Sequence, residues 1–232
     1  MTLFSDLISD IIGTNTIMRD NEIFSQVRPV ISKKNLINSY RRDLRAETSE
    51  EFERYFRYRY GSLTYISMLN DASLLSGYYK VSKNNEELIE ACLEYIPNPG
   101  LDINKDYSSS PPQKKYPISY YCSRYIRIEW DSSSNYKPIL HPCSHLHIGL
   151  ETDYHIALHR YPFYSEFVKL ILFFNYQEDW KKLVPKKQNI SSKDKDKLDF
   201  DEYKRQRKKE KRDTFIESLI SDMEAEFYNF SW

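Results

Sequence analysis

Five histidines, His141, His145, His147, His155 and His159, fall within 19 residues of this 232-residue chain, and they are all the histidines it has. Random placement would gather five so tightly about two times in ten thousand, so the clustering is real. Imidazole titrates near neutral pH and ligates transition metals, so a cluster of this kind is a candidate for acid/base or metal chemistry. Alternate side chains of a strand share a face. Along 143–150 that alternation puts His145, His147 and Gly149 on one side and Leu146, Ile148 and Leu150 on the other. Along 125–130, Arg127 and Glu129 oppose Ile126, Ile128 and Trp130, and Asp131 extends the polar row. A third strand, 154–159, sets His155, Ala157 and His159 against Ile156 and Leu158.

Antiparallel pairing of these three strands would bring Arg127, Glu129, His145 and His147 within side-chain reach across the ladder. Gly149 would leave room for a ligand or a second backbone. Three chemistries fit, and the residues alone leave them open. His145 and His147 could ligate a divalent metal, with Glu129 or Asp131 as a third ligand and a position left for water. Without metal, one imidazole could serve as general base and another as general acid, with Arg127 or Arg160 stabilising a phosphoryl transition state. The patch could also only bind phosphate or a partner's carboxylates, or be ordinary polar surface. The two-histidine phosphoesterase signature needs a pair of His-x-Ser/Thr motifs, which neither His145-Leu146-His147 nor His159-Arg160-Tyr161 supplies.

The elements that must carry these residues follow from periodicity. Leu3, Phe4, Leu7, Ile8, Ile11 and Ile12 predict an amphipathic N-terminal helix with Gly13 as its stop. Segments 62–69 and 73–81 read as strands joined across Asn70-Asp71, and 86–96 fits either a helix or a strand. A polar loop spans 101–117, a long aromatic strand bulged near Ser123 spans 118–130, and a turn begins at Asp131. Pro162 opens a helix that ends before Pro185. A solvated linker and a long charged helix, basic over Lys204–Arg212 and apolar along Ile216, Leu219, Ile220, Met223 and Phe227, complete the chain. The fold expected is α+β: a curved, mainly antiparallel sheet flanked by helices, in one domain over 1–185, with the charged linker and C-terminal helix over 186–232.

Composition narrows the classes. Apolar residues make up 40% and charged residues 29%, which is globular. Lys+Arg and Asp+Glu balance at 34 each, so no basic field covers the whole molecule, and any polyanion site must be local. Three cysteines without close pairing read as reduced thiols of a cytoplasmic protein. Asp6 and Asp10 within the first apolar stretch speak against a signal peptide, and no apolar run is long enough to span a bilayer. The Arg- and Tyr-rich stretch 40–60 could stack on single-stranded nucleic acid, but a helix with its aromatic stems packed beneath is the commoner outcome. The apolar stripe of the last helix reads as core or as a surface for a partner protein.

Several strings together resemble one family. They are Leu69-Asn70-Asp71-Ala72-Ser73-Leu74-Leu75, Tyr78-Tyr79, Tyr95-Ile96-Pro97-Asn98-Pro99, Arg127-Ile128-Glu129-Trp130-Asp131, Arg160-Tyr161-Pro162 and, most specific, His141-Pro142-Cys143-Ser144-His145-Leu146-His147-Ile148-Gly149. The chain resembles domain of unknown function 2290, an uncharacterised bacterial family, over roughly residues 20–185. The resemblance implies a bacterial or mobile-element protein associated with defence or toxin–antitoxin genes, and it brings no established activity. The reading reached is a nucleic-acid-directed, phosphodiester-cleaving enzyme. His145 and His147 would bind metal or do acid/base work, Glu129 and Asp131 would be ligand or orienting carboxylates, and Arg127 and Arg160 would be phosphate clamps. The alternative is a non-catalytic subunit that binds a partner protein, through the patch or the C-terminal helix.

Overall fold

The computed structural model describes residues 2–34, 36–38, 48–103, 116–131, 143–150, 156–158 and 160–183, with only the backbone of Ser49, Glu50 and Asp131. The expected C-terminal helix, most of the 101–117 loop, and His141, His155 and His159 lie outside these residues.

Among the described residues, one nine-stranded sheet organises the fold. Its main path runs β1 (Phe24–Val27), β4 (Ser67–Leu69), β5 (Leu74–Val81), β6 (Leu88–Ile96), β7 (Ile126–Asp131), β8 (Ser144–Ile148) and β9 (Ile156–Ala157), every neighbour antiparallel. The short hairpin β2 (Ser32–Lys33) and β3 (Leu36–Ile37) joins through β3 to β5. With helices on its faces, the fold is the α+β architecture expected.

The Asn70-Asp71 turn forms where predicted. The Asp71 side chain accepts the Ser73 N–H at 2.9 Å, and Ala72 takes the left-handed backbone that closes β4 onto β5. The ambiguous segment 86–96 is strand. Ala91, Leu93 and Tyr95 enter the main core, while Ile96 enters a second core on the opposite face. Burial on both faces makes a strand look continuously apolar, which is why a helical spacing also appeared. Gly77 in β5 has φ +147°, and a Cβ there would lie 2.1 Å from the Cys92 carbonyl oxygen, so β5 and β6 meet this closely only at a glycine.

Helix α1 (Leu3–Asp20) runs through Gly13 instead of stopping there. Thr2 and Ser5 form a capping box at its start, and Leu7, Ile11, Thr14, Asn15 and Met18 keep one buried stripe going past the glycine. That tertiary stripe outweighs the roughly 1 kcal/mol that an interior glycine costs a helix. Helix α2 (Ser49–Gly61) follows, then α3 (Ile118–Cys122). The expected long strand 118–130 is therefore a helical turn followed by β7. Tyr121 and Cys122 are adjacent yet both buried in one core, which a strand would not allow, and the suspected bulge at Ser123 is the corner between the two elements. The expected helix after Pro162 is two, α4 (Tyr164–Asn175) and α5 (Gln177–Leu183), broken at Tyr176, whose hydroxyl bonds Tyr95 and Asp71.

The apolar sheet face packs on α1 and α4. Phe167, Leu170 and Ile171 are fully buried there, each stabilising the fold by roughly 1.5–3 kcal/mol. Asp10 of α1 accepts the Ser165 N–H at 2.9 Å, so one helix caps the next. Burial raises the Asp10 carboxyl above its ordinary range. The second core, built on Phe52, Tyr55, Phe56, Met68, Leu74 and Tyr125, brings α2 and α3 over one end of the other face. No described helix is long and apolar enough to cross a membrane.

Candidate metal centre

On the face opposite the main core, strand alternation aligns a lattice of polar residues. In register, Ser76, Glu94, Arg127 and His147 form one transverse row, and Tyr78, Cys92, Glu129 and His145 the next. Arg127 opposes His147 and Glu129 opposes His145, so the antiparallel pairing does bring the four together across the ladder. Ile126, Ile128 and Leu146 turn into the core behind them. Ala157 opposes His145 on β9.

The face is not the half-exposed surface that its polarity suggested. The His145 side chain is 1% exposed, His147 8%, Glu129 14% and Arg127 16%. The two imidazoles pack edge to face, ring centroids 4.9 Å apart. Nε2 of His145 lies 3.6 Å and Nε2 of His147 3.5 Å from Glu129 Oε2, and Arg127 Nε lies 3.6 Å from the same oxygen. Burial pushes the His147 imidazole down to about 4, against the opposing contact with Glu129, so it is neutral at pH 7 with a lone pair to offer.

Glu129, His145 and His147 each present a ligating atom within 4.8 Å of the other two. Atoms bound at about 2.1 Å to a tetrahedral ion stand roughly 3.4 Å apart, so the two nitrogen–oxygen distances fit an ion between them. Two imidazole nitrogens and a carboxylate suit Zn²⁺ and its first-row neighbours better than Mg²⁺ or Ca²⁺. These three residues could hold a divalent transition metal.

Arg160 does not join them. Its guanidinium pairs with Glu166 at the start of α4, Nη1 standing 2.7 Å from Oε2, and the same carboxylate oxygen accepts the Phe163 N–H. Glu166 neighbours Asp10 and Tyr79 on the helix-covered side of the sheet, so Arg160 serves the helix start. Asp131 lies opposite Glu90 at the end of β7, and only its backbone is described. Gly149 has φ +83° and donates its N–H to the Tyr125 carbonyl at 2.8 Å. Of the two expected occupants, a ligand or a second backbone, it is the backbone at Tyr125 that approaches the glycine here.

Sequence reasoning missed the other half of the polar face. Glu94 of β6 is fully buried. Its Oε1 accepts Tyr125 Oη at 2.5 Å, its Oε2 accepts Arg59 Nη2 at 2.6 Å, and Tyr55 Oη lies 2.9 Å from both oxygens. Arg59 Nε donates to Tyr55 Oη at 3.0 Å. Burial holds both phenols well above their ordinary range, so they stay protonated donors. Choosing strand for 88–96 would have put Glu90, Cys92 and Glu94 on the polar face by parity. Nothing in the Arg-rich stretch singled out Arg59. Burial of Phe52, Tyr55 and Phe56 bears out the helix-with-packed-stems reading for α2, and Arg59 is enclosed with them.

No curated protein and no solved structure matches the chain. A family model described as an uncharacterised conserved protein, DUF2290, matches residues 23–232. The match runs through the charged tail, which overturns the expectation that the likeness stops near residue 185. The chain belongs to that family.

Proposed function

We propose that the protein is a metal-dependent hydrolase of phosphodiester bonds in nucleic acid, with a divalent transition metal held by His145, His147 and Glu129. The observation that carries this reading is the convergence of three ligand atoms within 4.8 Å, two of them imidazole nitrogens 3.6 and 3.5 Å from one oxygen of a shared carboxylate. A metal bound by three protein ligands supplies a nucleophilic water at neutral pH. Arg127, at the more exposed edge of the cluster, supplies a guanidinium for a phosphate oxygen. Charge supports an anionic substrate. The Arg59–Glu94 and Arg127–Glu129 pairs are each neutral, so a divalent ion adds a net charge of about +2 at the ligands themselves, which a phosphodiester would offset. The setting proposed is the one the family resemblance implies, a bacterial defence or toxin module.

The test pairs metal analysis with cleavage assays on single- and double-stranded DNA and RNA. The expected result is about one Zn²⁺, Co²⁺ or Mn²⁺ per chain and metal-dependent cleavage, both lost in His145→Ala/His147→Ala. Full cleavage by that variant sinks the proposal.

A second reading is favoured by the burial of His145. Here the cluster is a structural centre in a non-catalytic subunit that binds a partner protein, through this face or through the C-terminal segment. Structural metal sites are closed by protein ligands, whereas catalytic ones keep a position for water. In the Co²⁺ form, an added anion such as phosphate perturbs the visible spectrum of an open site and leaves a closed one unchanged.

A further inference from the structure

Away from the metal centre, α3 presents two tyrosines that its own anchoring does not use. Tyr121 and Cys122 hold the helix in the second core, whereas Tyr116, just ahead of it, and Tyr120 are 39% and 36% exposed. The two exposed rings stack, centroids 4.3 Å apart at an interplanar angle of 31°. Tyr121 meets Tyr120 edge to face at 5.4 Å. The pair is therefore a braced aromatic ledge and not two loose side chains.

Arg124 stands beside the ledge. Its guanidinium carbon lies 5.3 Å from the centre of the Tyr120 ring, and Nη1 donates to the Tyr120 hydroxyl at 3.0 Å. Asn175 of α4 fixes the same group: Nε donates to its Oδ1 at 2.9 Å and Nη2 to its backbone carbonyl at 3.4 Å. All three acceptors are uncharged. Arg57 pairs with Glu53, Arg59 with Glu94 and Arg160 with Glu166, but no carboxylate among the described residues pairs with Arg124. Asp71, which neighbours Tyr95 as Arg124 does, accepts the Tyr176 hydroxyl instead. The guanidinium is thus positioned without being neutralised, and it has N–H groups left to give.

A fixed, uncompensated cation next to exposed stacked rings is the combination that takes a phosphate together with an unstacked base. A duplex hides the faces of its bases, and a single strand can lay one on an aromatic ring. We propose that Tyr116, Tyr120 and Arg124 form a subsite for single-stranded nucleic acid, with a base stacked on the ledge and a phosphate paired with Arg124. The subsite lies at the end of the sheet where β7 begins. From Arg124 to Glu129 is roughly 17 Å of extended strand, an interval that a few nucleotides span. The inference rests on the phosphodiesterase reading for naming nucleic acid, and it narrows that substrate to its single-stranded form.

The experiment is fluorescence anisotropy of the full chain with a labelled, cleavage-resistant phosphorothioate oligothymidine of about 12 nucleotides, beside a duplex of the same length. The parent is expected to bind the single strand more tightly than the duplex. Tyr116→Ala/Tyr120→Ala is expected to weaken single-strand binding about fivefold or more, the scale of one base stacked on a ring. Tyr116→Phe/Tyr120→Phe is expected to stay within about threefold of the parent, because stacking needs the ring and not the hydroxyl. Arg124→Met is expected to lower the slope of log affinity against log salt by about 0.7, the value of one single-strand phosphate contact. Unchanged affinity in the alanine variant, an equal loss with phenylalanine, an unchanged salt slope, or a duplex bound as tightly as the single strand overturns the inference. Should the alanine variant not fold, the Arg124→Met slope decides alone. A parent that cleaves duplex with its metal but ignores single strands overturns the subsite and leaves the metal reading. A parent that binds the single strand but holds no metal overturns the hydrolase and leaves the subsite.

Discussion

The two ends of one sheet face solve the burial of charge differently. At the Glu94 end, oxygens and donors meet at 2.5–3.0 Å. At the Glu129 end, three cationic or imidazole nitrogens surround one carboxylate oxygen at 3.5–3.6 Å, at the outer edge of hydrogen bonding or beyond it. Both ends are buried on the same lattice, with Glu94 and Glu129 on neighbouring strands, so crowding alone does not explain the difference. The compact end is a cluster that protein groups complete by themselves. The wider end has the dimensions of a cluster completed by an ion.

The contrast can be broken most strongly at the compact end. Glu94→Ala leaves Arg59 charged and buried, and we expect a loss of about 3–5 kcal/mol in urea denaturation, with Arg59→Met/Glu94→Gln close to the parent. A loss under 1 kcal/mol, on the scale of a surface ion pair, would mean that water reaches Arg59 and the end is not compact. The wide end is expected to respond to pH. The His147 imidazole falls from 6.5 to about 4 on folding, so between those values the unfolded chain binds the extra proton. Stability of the metal-free protein is therefore fully present above about pH 6.5 and lost as pH falls toward 4, by up to ~3 kcal/mol from this residue. His147→Gln should flatten that slope, and an unchanged slope would count against a neutral buried imidazole. The smallest effect is expected away from both ends. The Arg160 side chain is 38% exposed in its pair with Glu166, so Arg160→Ala should cost no more than about 1 kcal/mol and leave Co²⁺ affinity and cleavage unchanged. A large drop in cleavage would return Arg160 to the phosphate-clamp role expected from its sequence neighbourhood.

How far these features were legible in the chain depended on whether local pattern or tertiary contact decides them. Period-two alternation put Arg127 and Glu129 on one face of their strand and His145 and His147 on one face of theirs, because a one-residue slip would turn the apolar set outward; that the four meet rested on antiparallel pairing of the two strands. The same rule was available at 88–96, but burial on two faces blurred it, and Glu94 was lost with it. Gly13 looked like a stop because the propensity of a single residue is easier to see than a buried stripe that resumes at Thr14, Asn15 and Met18. Arg160 was grouped with the site for its closeness in sequence to the histidines, whereas α4, packed on the opposite face, takes it away. The partnership of Arg59 with Glu94 spans 35 residues and two elements, and no periodicity reports it.

On the proposed reading, Glu129, His145 and His147 close on one metal ion. Zn K-edge X-ray absorption of the full chain reconstituted with one equivalent of Zn²⁺ measures that shell directly. The expected shell is two imidazole nitrogens at about 2.0–2.1 Å with a carboxylate oxygen at about 2.0–2.2 Å, and the imidazole scattering is expected to be lost in His145→Ala/His147→Ala. A shell of oxygens alone, or an imidazole signal that survives the double substitution, would contradict it.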